Sequence, residues 1–298
     1  MTAIHATDVC LNGRPVYLRQ AGAERGPALV LLHGIPTSSY LWRRCLPPLA
    51  AGLPGWRILA PDLPGYGRSA PRPGAGPRHL GRFLDALLTS LGVGDFVLAG
   101  HDLGGLVALT DAVVRAGGEG RHRPGGPRLD RLVLLDTTVF PTPALVVGLL
   151  PALLPPFSEL SLAWLARQDP ASRRRRHAAG LRRLLAPGTS LTPADEAEYS
   201  APYATLEGWR EARRSVRALA GQSLFVLRCA ARLGELTLPT GLIWGEHDPF
   251  FPLTTAERLR RAIPGVRAPV RVIRGAGHFP QEDRPEEVAR ALLDFLHS

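Results

Sequence analysis

Short apolar runs alternate with longer amphipathic segments along most of the chain. Eight of the runs have the length and composition of strands. The first two, His5–Leu11 and Arg14–Gln20, flank Asn12-Gly13, a dipeptide typical of a tight hairpin turn. The other six predicted strands are Ala28–Leu32, Trp56–Ala60, Phe96–Gly100, Leu132–Leu135, Thr240–Trp244 and Val270–Ile273.

Helical periodicity fills the segments between these strands. The predicted helices are Leu41–Ala51, His79–Leu91, Gly104–Arg115, Thr255–Ala262 and Pro285–His297. Strands that alternate with helices in this way form a mainly parallel sheet with helices on both of its faces. The pattern therefore predicts an α/β fold with a mostly parallel eight-stranded sheet flanked by helices.

The alternation stops over residues 140–222, where the sequence is helical in composition, interrupted by prolines and rich in arginine. Connections of this length without secondary structure of their own are uncommon. We therefore predict a core domain formed by residues 1–139 and 223–298, and a helical cap domain formed by the intervening segment. Its apolar part, Ala144–Leu154, is either a hinge with a short helix or a lid over an active site.

A tight turn with an acidic residue follows the predicted strand Phe96–Gly100 and precedes a helix. The segment is Gly100-His101-Asp102-Leu103-Gly104-Gly105. Such a turn directs Asp102 away from the carboxyl edge of the sheet, where α/β folds bind ligands. Glycine is needed at positions 100 and 104 because Cβ atoms there would clash. A simple helix N-cap at Asp102 would not need both glycines, so we interpret Asp102 as a nucleophile.

Two more candidate residues follow the last two predicted strands. Asp248 closes the segment after Thr240–Trp244, and His278 lies in a glycine-flanked loop after Val270–Ile273. The chain order of acid 102, acid 248 and histidine 278 matches the order nucleophile, acid, histidine. These three side chains are therefore predicted to meet at one site.

Five segments carry a resemblance that covers nearly the whole chain except the predicted cap. They are residues 32–43 (LHGIPTSSYLWR), 62–69 (DLPGYGRS), 100–105 (GHDLGG), the loop of Asp248, and 277–282 (GHFPQE). Together they resemble the α/β-hydrolase fold superfamily. The aspartate at position 102 is specific for the branch that contains epoxide hydrolases and haloalkane dehalogenases.

The resemblance implies a role for each matched position. Asp102 would attack an sp3 carbon and form an ester, and His278 would activate the water that hydrolyses this ester. Asp248 would orient His278. The backbone N–H groups of Ile35 and Leu103 would form the oxyanion hole. This chemistry requires no metal and no organic cofactor, and we expect neither.

Asp136 is a second candidate for the acid that orients the histidine. It follows the predicted strand Leu132–Leu135, at the position where some dehalogenases keep their acid. The alternative, which we favour, is a hinge residue at the start of the cap.

Epoxide opening and dehalogenation make different demands on the site. An opened epoxide leaves an alkoxide that needs a proton, which two cap tyrosines supply in epoxide hydrolases. A haloalkane dehalogenase needs side-chain N–H groups for the departing halide, and residues 35 and 103 have none. Epoxide opening is therefore ranked first and dehalogenation second. The candidate proton donors or substrate contacts of the cap are Tyr199, Tyr203, Trp164 and Trp209.

Two further hypotheses assume the same fold but a different function. The site is also suited to a biosynthetic enzyme that opens an epoxide with an internal nucleophile, or that catalyses cyclisation or C–C coupling of a natural product. A ligand-binding receptor is a non-enzyme alternative, but receptors of this fold tend to lose a triad member. Because all three positions carry competent residues, the sequence favours an enzyme.

The charge of the chain raises the question of nucleic acid. Lys and Arg number 36 against 26 Asp and Glu, giving +10 at pH 7, and no lysine occurs, which excludes Schiff-base catalysis by a lysine side chain. The densest basic run, Arg173–Arg176, has no nucleic-acid motif around it and is typical of a solvated helix face. We therefore expect no nucleic-acid partner.

The remaining composition concerns compartment and partners. Three cysteines are too few for a disulfide framework, and the first residues form no signal peptide. The charge-free stretch Thr137–Ser158 contains five prolines, which break a membrane-spanning helix. We predict a cytoplasmic enzyme without membrane insertion that binds a small hydrophobic substrate, as a monomer or homodimer.

Overall fold

The structure, a computed structural model, describes residues 4–71, 75–118, 126–141 and 157–298. All eight predicted strands are present in one sheet. They are β1 (His5–Leu11), β2 (Arg14–Gly22), β3 (Ala28–Leu32), β4 (Arg57–Pro61), β5 (Asp95–His101), β6 (Arg128–Leu135), β7 (Thr240–Gly245) and β8 (Arg271–Ile273). Their order across the sheet is β1-β2-β4-β3-β5-β6-β7-β8.

Strand β2 runs antiparallel to both of its neighbours, β1 and β4, and β3 to β8 are parallel to their neighbours among these strands. The central strands are nearly continuous apolar runs; all five residues of β3 are buried. A strand covered on both faces needs such a run, whereas alternation would leave one face for water. The mostly parallel eight-stranded sheet of an α/β fold is confirmed. Strand β5 lies near its centre, so the turn after β5 opens at the middle of the carboxyl edge.

The helices surround this sheet. They are α1 (Leu46–Gly52), α2 (Pro77–Ser90), α3 (Leu103–Ala116), α4 (Phe157–Ala166), α5 (Pro170–Arg182), α6 (Pro193–Ser200), α7 (Leu206–Gly221), α8 (Ser223–Ala231), α9 (Leu253–Ala262), α10 (Pro280–Asp283) and α11 (Pro285–His297). In the part of the chain that the structure describes, none of the helices combines the length and the apolar content needed to cross a bilayer.

The predicted helix Leu41–Ala51 is wrong at its start. A 3-10 turn occupies Ser39–Trp42, and helix α1 begins only at Leu46. The reason is the pair Pro47-Pro48, because proline lacks the N–H of a helix interior and is tolerated only in the first turn.

Two apolar clusters hold the helices against the two faces of the sheet. Helix α2 shows the sequence basis: Leu80, Phe83, Leu84, Leu87 and Leu88 recur at helical spacing and are all buried. One cluster joins α2, α3 and α9 to the sheet, and the other joins α1 and α11 to the opposite face. The core is therefore built from both layers, with the carboxyl edge left free for a site.

Helices α4 to α7 lie between β6 and β7 in the chain, where the cap was predicted. The N-terminus of α6 is fixed locally; the side chain of Thr192 accepts a hydrogen bond from the N–H of Asp195, and the Asp195 carboxylate accepts one from the N–H of Thr192. The apolar segment Ala144–Leu154 lies outside the described residues. The assignment of residues 140–222 to a separate cap domain stays a prediction.

An ion network joins helix α6 to the core. The guanidinium of Arg43 lies 2.6 Å from the Asp195 carboxylate and forms two hydrogen bonds with Glu282. The hydroxyl of Tyr199 donates to the same Glu282. Glu282 is only 3% exposed, so its charge depends on these partners. The network therefore links the segment of Asp195 and Tyr199 to Arg43 and Glu282 of the predicted core.

Replacing Arg43 by alanine is expected to lower the free energy of unfolding by about 3 kcal/mol, because it leaves a buried carboxylate without its cation. Urea unfolding monitored by tryptophan fluorescence measures this change. The matched control is Arg44→Ala. Arg44 reaches the same carboxylates only at 3.4 and 3.8 Å and is 37% exposed, so a change below about 1 kcal/mol is expected. Equal losses in the two variants would contradict the role of Arg43.

Candidate active site

Asp102 lies in a strained turn between β5 and α3. Its backbone has φ 50° and ψ −116°, a region that L-residues rarely occupy. The turn is held on both sides: the Asp102 N–H donates to Leu135 O at 3.2 Å, and Thr137 Oγ1 donates to Asp102 O at 2.6 Å. A Cβ on Gly104 would lie 2.6 Å from the carbonyl oxygen of Leu32. The absence of a side chain at position 104 is thus required, as the sequence predicts.

The carboxylate of Asp102 accepts hydrogen bonds from the backbone. The N–H of Ile35 donates to Asp102 Oδ2 at 2.8 Å, and the N–H of Leu103 is a second donor. Burial raises the pKa of Asp102, and the charge of His278 and these two N–H groups act in the opposite direction. A Cβ on Gly34 would lie 2.6 Å from Asp102 Oδ2. The two N–H groups predicted to form an oxyanion hole therefore already converge on Asp102.

His278 and Asp248 form a hydrogen-bonded pair. His278 Nδ1 lies 2.9 Å from Asp248 Oδ2, and both side chains are almost fully buried. The other oxygen, Asp248 Oδ1, accepts from the N–H groups of Phe250 and Phe251 at 2.7 and 3.1 Å. Both oxygens of the carboxylate are thereby fixed, and the imidazole is held with Nε2 directed away from Asp248. This is the arrangement that a general base requires.

The pKa shifts of the pair follow from this contact. Burial acts to raise the pKa of Asp248, but its interaction with His278 and the two backbone N–H groups outweighs burial, and the pKa lies below its ordinary value. Burial acts to lower the pKa of His278, but Asp248 outweighs it and raises that pKa above the usual histidine value. Any step that needs neutral His278 should therefore lose rate as the pH falls through this raised pKa.

The backbone of His278 is positioned by two groups from outside its own loop. His101 Nε2 lies 2.7 Å from the carbonyl oxygen of His278, so this nitrogen carries the proton. Burial, and then the charge of His278, lower the pKa of His101 to about 3, which keeps it neutral. The N–H of His278 donates to Leu184 O at 2.9 Å. Leu184 belongs to the predicted cap, so the cap segment contributes to the placement of this histidine.

Asp136 follows β6 and lies beside the same acid. It is fully buried with φ 41°, and its Oδ1 accepts from the N–H of Gly245 at 2.8 Å. Burial, and then the negative charge of Asp248, raise its pKa well above the usual range. Asp136 therefore has no direct contact with His278 in the hydrogen-bond network, and it contacts the acid instead.

A pocket of about 250 Å³ opens above these residues. Most of its lining is apolar or aromatic, and Asp102 and His278 lie at its polar end. The lining residues are Ile35, Pro36, Tyr66, Asp102, Leu184, Tyr203, Ala212, Val216, Phe250, Phe251 and His278. The pocket thus brings the predicted nucleophile and histidine together beneath side chains of the cap segment.

The sequence interpretation missed several of these residues. Phe250 and Phe251 pack their rings 5.3 and 5.7 Å from the imidazole of His278. Tyr66 lies edge-on to His33 with ring centres 5.6 Å apart. The sequence does indicate all three as candidates, because Phe250 and Phe251 closely follow Asp248 and Tyr66 lies in the matched segment 62–69. Leu184 and Val216 carry no signal of this kind.

The four candidate cap residues have different environments. Tyr203 lines the pocket, whereas Tyr199 is not among the lining residues and its hydroxyl donates to Glu282. Trp209 lies behind Tyr203, and its indole N–H donates to Tyr203 O at 2.9 Å. Trp164 is 45% exposed, with the guanidinium of Arg176 over its ring. Tyr203 is thus the candidate that reaches the site.

The arginines of the cap do not line the pocket. Arg173 binds the carbonyl oxygens of Leu165 and Ala204 at 2.9 and 3.0 Å, and the three arginines that follow it are exposed. The basic run therefore ties cap segments together and faces water. Nor do the described residues include any cluster of three or more His, Cys, Asp or Glu side chains arranged to hold a metal ion.

Comparison with known proteins agrees with this geometry. Residues 27–285 match the family model described as the alpha/beta hydrolase fold. A haloalkane dehalogenase from Mycobacterium marinum is 32% identical, with 98% of this chain and 93% of that protein covered. An epoxide hydrolase from Caballeronia sordidicola is 27% identical over the same shares of the two chains.

Solved structures show the same fold. Cfl2 from Burkholderia cenocepacia superposes with a TM-score of 0.80 at 28% identity, covering 98% of this chain and 95% of that one. The haloalkane dehalogenase DbeA from Bradyrhizobium elkani gives 0.80 at 24% identity, covering 99% and 98%. The chain is therefore a hydrolase of the α/β-hydrolase fold family, and it belongs to the branch that contains the haloalkane dehalogenases and epoxide hydrolases.

Proposed function

We propose that this protein opens the ring of a hydrophobic epoxide with Asp102 as nucleophile and His278-activated water. The observation that carries the proposal is the Asp102 carboxylate at the polar end of an apolar pocket, beside His278 and under Tyr203. A carboxylate attacks an sp3 carbon directly, whereas an ester carbonyl would call for a hydroxyl nucleophile with a base. An epoxide places such a carbon beside an oxygen that can take up a proton.

The reaction proceeds in two steps. In the first, an Asp102 oxygen bonds to an epoxide carbon, the C–O bond of the ring breaks, and the alkoxide oxygen takes a proton from Tyr203. In the second, His278 removes a proton from water and the hydroxide adds to the Asp102 ester carbonyl. The tetrahedral intermediate then expels the diol oxygen, which takes the proton back from His278, and the proton left on the Asp102 carboxyl returns to the Tyr203 phenolate. The N–H groups of Ile35 and Leu103 stabilise the negative oxygen of that second step, at about 3–4 kcal/mol for each donor.

Tyr203 is suited to the role of proton donor because its ring is held from both sides. It stacks on the imidazole of His177 with centres 3.8 Å apart, and Trp209 meets it edge-on at 5.3 Å. His177 is fixed by Ser200 and by the carbonyl oxygen of Pro36. Burial raises the pKa of Tyr203, so the phenol is protonated in the resting enzyme. An alkoxide is a far stronger base than water and draws this proton as it forms.

Dehalogenation, the activity named for one relative, receives less support from the pocket. A departing halide needs side-chain N–H donors, and none of the pocket residues in the described part of the chain is Trp, Asn, Gln or Arg. The sequence contains a single asparagine, Asn12, in the hairpin turn. The segment 142–156, which the structure does not describe, contains no residue with a side-chain N–H. Epoxide opening, in contrast, needs only the hydroxyl of Tyr203.

The proposed function is tested with matched electrophiles. The purified protein is incubated with styrene oxide and 1,2-epoxyhexane, and with 1-bromohexane as the corresponding halide. Diol formation is measured by gas chromatography and bromide release by a colorimetric assay. The proposal expects diol from at least one epoxide and no bromide above the rate in buffer. Bromide release without diol would favour dehalogenation instead.

Tyr203→Phe is expected to lower the rate of epoxide opening by about 10²-fold, the contribution of a positioned general acid. The matched control is Tyr199→Phe, which removes a hydroxyl of the same cap from Glu282 and not from the pocket. The control should retain its rate and lose about 1 kcal/mol of stability, since one hydrogen bond is removed. Single-turnover kinetics with an epoxide measure the first step in both variants. An unchanged rate in Tyr203→Phe would remove this residue from the mechanism.

A further inference from the structure

Two carboxyl groups meet beside His278. Asp248 follows β7 and Asp136 follows β6, and these strands are neighbours in the sheet. Asp136 is fully buried and Asp248 is 6% exposed. The negative charge of Asp248 raises the pKa of Asp136, and the two carboxyl groups are close enough to share a hydrogen bond if one of them carries a proton. The carboxyl ends of parallel strands therefore place two acids where the proposed mechanism uses one.

The Oδ2 atom of Asp136 indicates how Asp136 and Asp248 interact. Asp136 Oδ1 accepts from Gly245 N, but no N–H or O–H donor of the described residues reaches the buried Oδ2. Asp248 has its own N–H donors from Phe250 and Phe251 and donates nothing as a carboxylate. Two ionised carboxylates that are buried next to each other would repel each other strongly, and a buried charge without a partner is very unfavourable. A proton on Asp136 removes both problems.

We propose that Asp136 is a neutral carboxylic acid whose O–H donates to Asp248, so that the acid behind His278 is a carboxyl pair sharing one proton. Asp136 is then a positioning residue, because it acts through Asp248 and is not among the residues that line the pocket. Its hydrogen bond stabilises the negative charge of Asp248 and reduces the basicity that Asp248 imposes on His278. The catalytic meaning of this pair rests on the proposed function, whereas its protonation does not.

The surroundings of the pair agree with this assignment. Asp283, in α10, also acts on Asp136, and its negative charge raises the pKa of Asp136 further. Its own carboxylate is occupied by the N–H groups of Ala186 and Gly277 at 3.0 and 2.8 Å. The imidazole of His278 satisfies Oδ2 of Asp248, and the buried ring of His101 lies 4.9 Å from that imidazole. Negative neighbours favour the neutral form of Asp136, and the positive partner of the site is already bound to Asp248.

The test is the titration of His278 in the resting protein, which needs no substrate and no activity. Protein labelled with ¹⁵N in its histidine rings is titrated by NMR, and the His278 signals are identified by their absence in His278→Gln. Asp136→Asn keeps a donor for Asp248 and an acceptor for Gly245 N, so the pKa of His278 should change by less than about 0.3 unit. Asp136→Leu removes the donor, so that pKa should rise by about one unit.

Each alternative gives a different result. If Asp136 is ionised, Asp136→Asn removes a negative charge and the pKa of His278 falls by about one unit or more, which would overturn the proposal. No change in either variant would reduce Asp136 to a structural residue and would also overturn it. Should Asp136→Leu fail to fold, infrared spectra of wild type and Asp136→Asn decide. The carbonyl stretch of a neutral carboxylic acid should be present at pH 7 in the wild type and absent in the variant; its absence from both would refute a protonated Asp136.

Discussion

Asp102→Asn is expected to lower epoxide turnover by about 10⁴-fold or more, because removal of a covalent nucleophile leaves only binding and the oxyanion hole to accelerate the reaction. The amide is neutral and does not displace the ring oxygen. Steady-state diol formation measures the loss. The matched control is Asp111→Asn, a buried carboxylate of α3 that is paired with Arg115 at 2.7 Å and does not line the pocket. This control should keep most of its activity.

Isotope incorporation distinguishes a nucleophile from a residue that only binds. Over many turnovers in ¹⁸O-water, the covalent-ester mechanism places label in the carboxylate of Asp102, because water attacks the carbonyl carbon of the enzyme ester. Peptide mass spectrometry of the segment around residue 102 detects it. Continued diol formation without label in this peptide would contradict covalent catalysis by Asp102, as would full activity in Asp102→Asn.

His278→Gln is expected to stop the reaction after its first step. Asp102 still opens the epoxide, but no base activates water, so the ester accumulates and turnover falls by about 10³-fold or more. Intact-protein mass spectrometry should show one equivalent of added substrate mass. The control is His247→Gln, because His247 lies nearby in the chain with its side chain 60% exposed. Turnover without an accumulated ester in His278→Gln would place the base elsewhere.

The pH profile gives a second measure of the same residue. Burial acts to lower the pKa of His278, and Asp248 raises it above the ordinary value. Ester hydrolysis needs the neutral imidazole, so its rate is full above this raised pKa and is lost as the pH falls through it. Asp248→Asn removes the raising charge and should shift that acidic limb to lower pH. An unshifted limb would mean that a different group titrates.

The two activities named among the relatives share their catalytic residues and differ in how the leaving group is stabilised. Both need the nucleophile, the histidine and the acid, and these come from loops at the carboxyl edge of the sheet. They differ in the group that receives the leaving atom, and in the proposed mechanism this group is the hydroxyl of Tyr203.

The sheet and the positions of Asp102, Asp248 and His278 follow from the sequence because they depend on local constraints. Continuous apolar runs such as Ala28–Leu32 specify buried parallel strands, and glycines at 100 and 104 specify a turn that no other residue fits. Helix α1 begins later than the predicted helix Leu41–Ala51 because Pro47-Pro48 is tolerated only in the first turn of a helix. Strong local patterns of this kind predict the structure without knowledge of the rest of the chain.

Contacts between residues far apart in the sequence decided which other side chains reach the site. Tyr199 and Tyr203 are only four residues apart in the sequence, and only the fold shows that one binds Glu282 while the other faces the pocket. The roles of Leu184, which binds the backbone of His278, and of the arginine run, which ties the cap together, are equally invisible in the pattern.

The sequence by itself therefore determined the fold class and singled out Asp102, Asp248 and His278 as the candidate catalytic residues. Only the tertiary structure decided which cap side chain reaches them, and it showed that Asp136 lies against Asp248 rather than at a free hinge. The physical reason is that burial and charge depend on what packs around a group. A carboxyl at the end of β6 has an ordinary environment until the neighbouring strand brings a second carboxyl beside it.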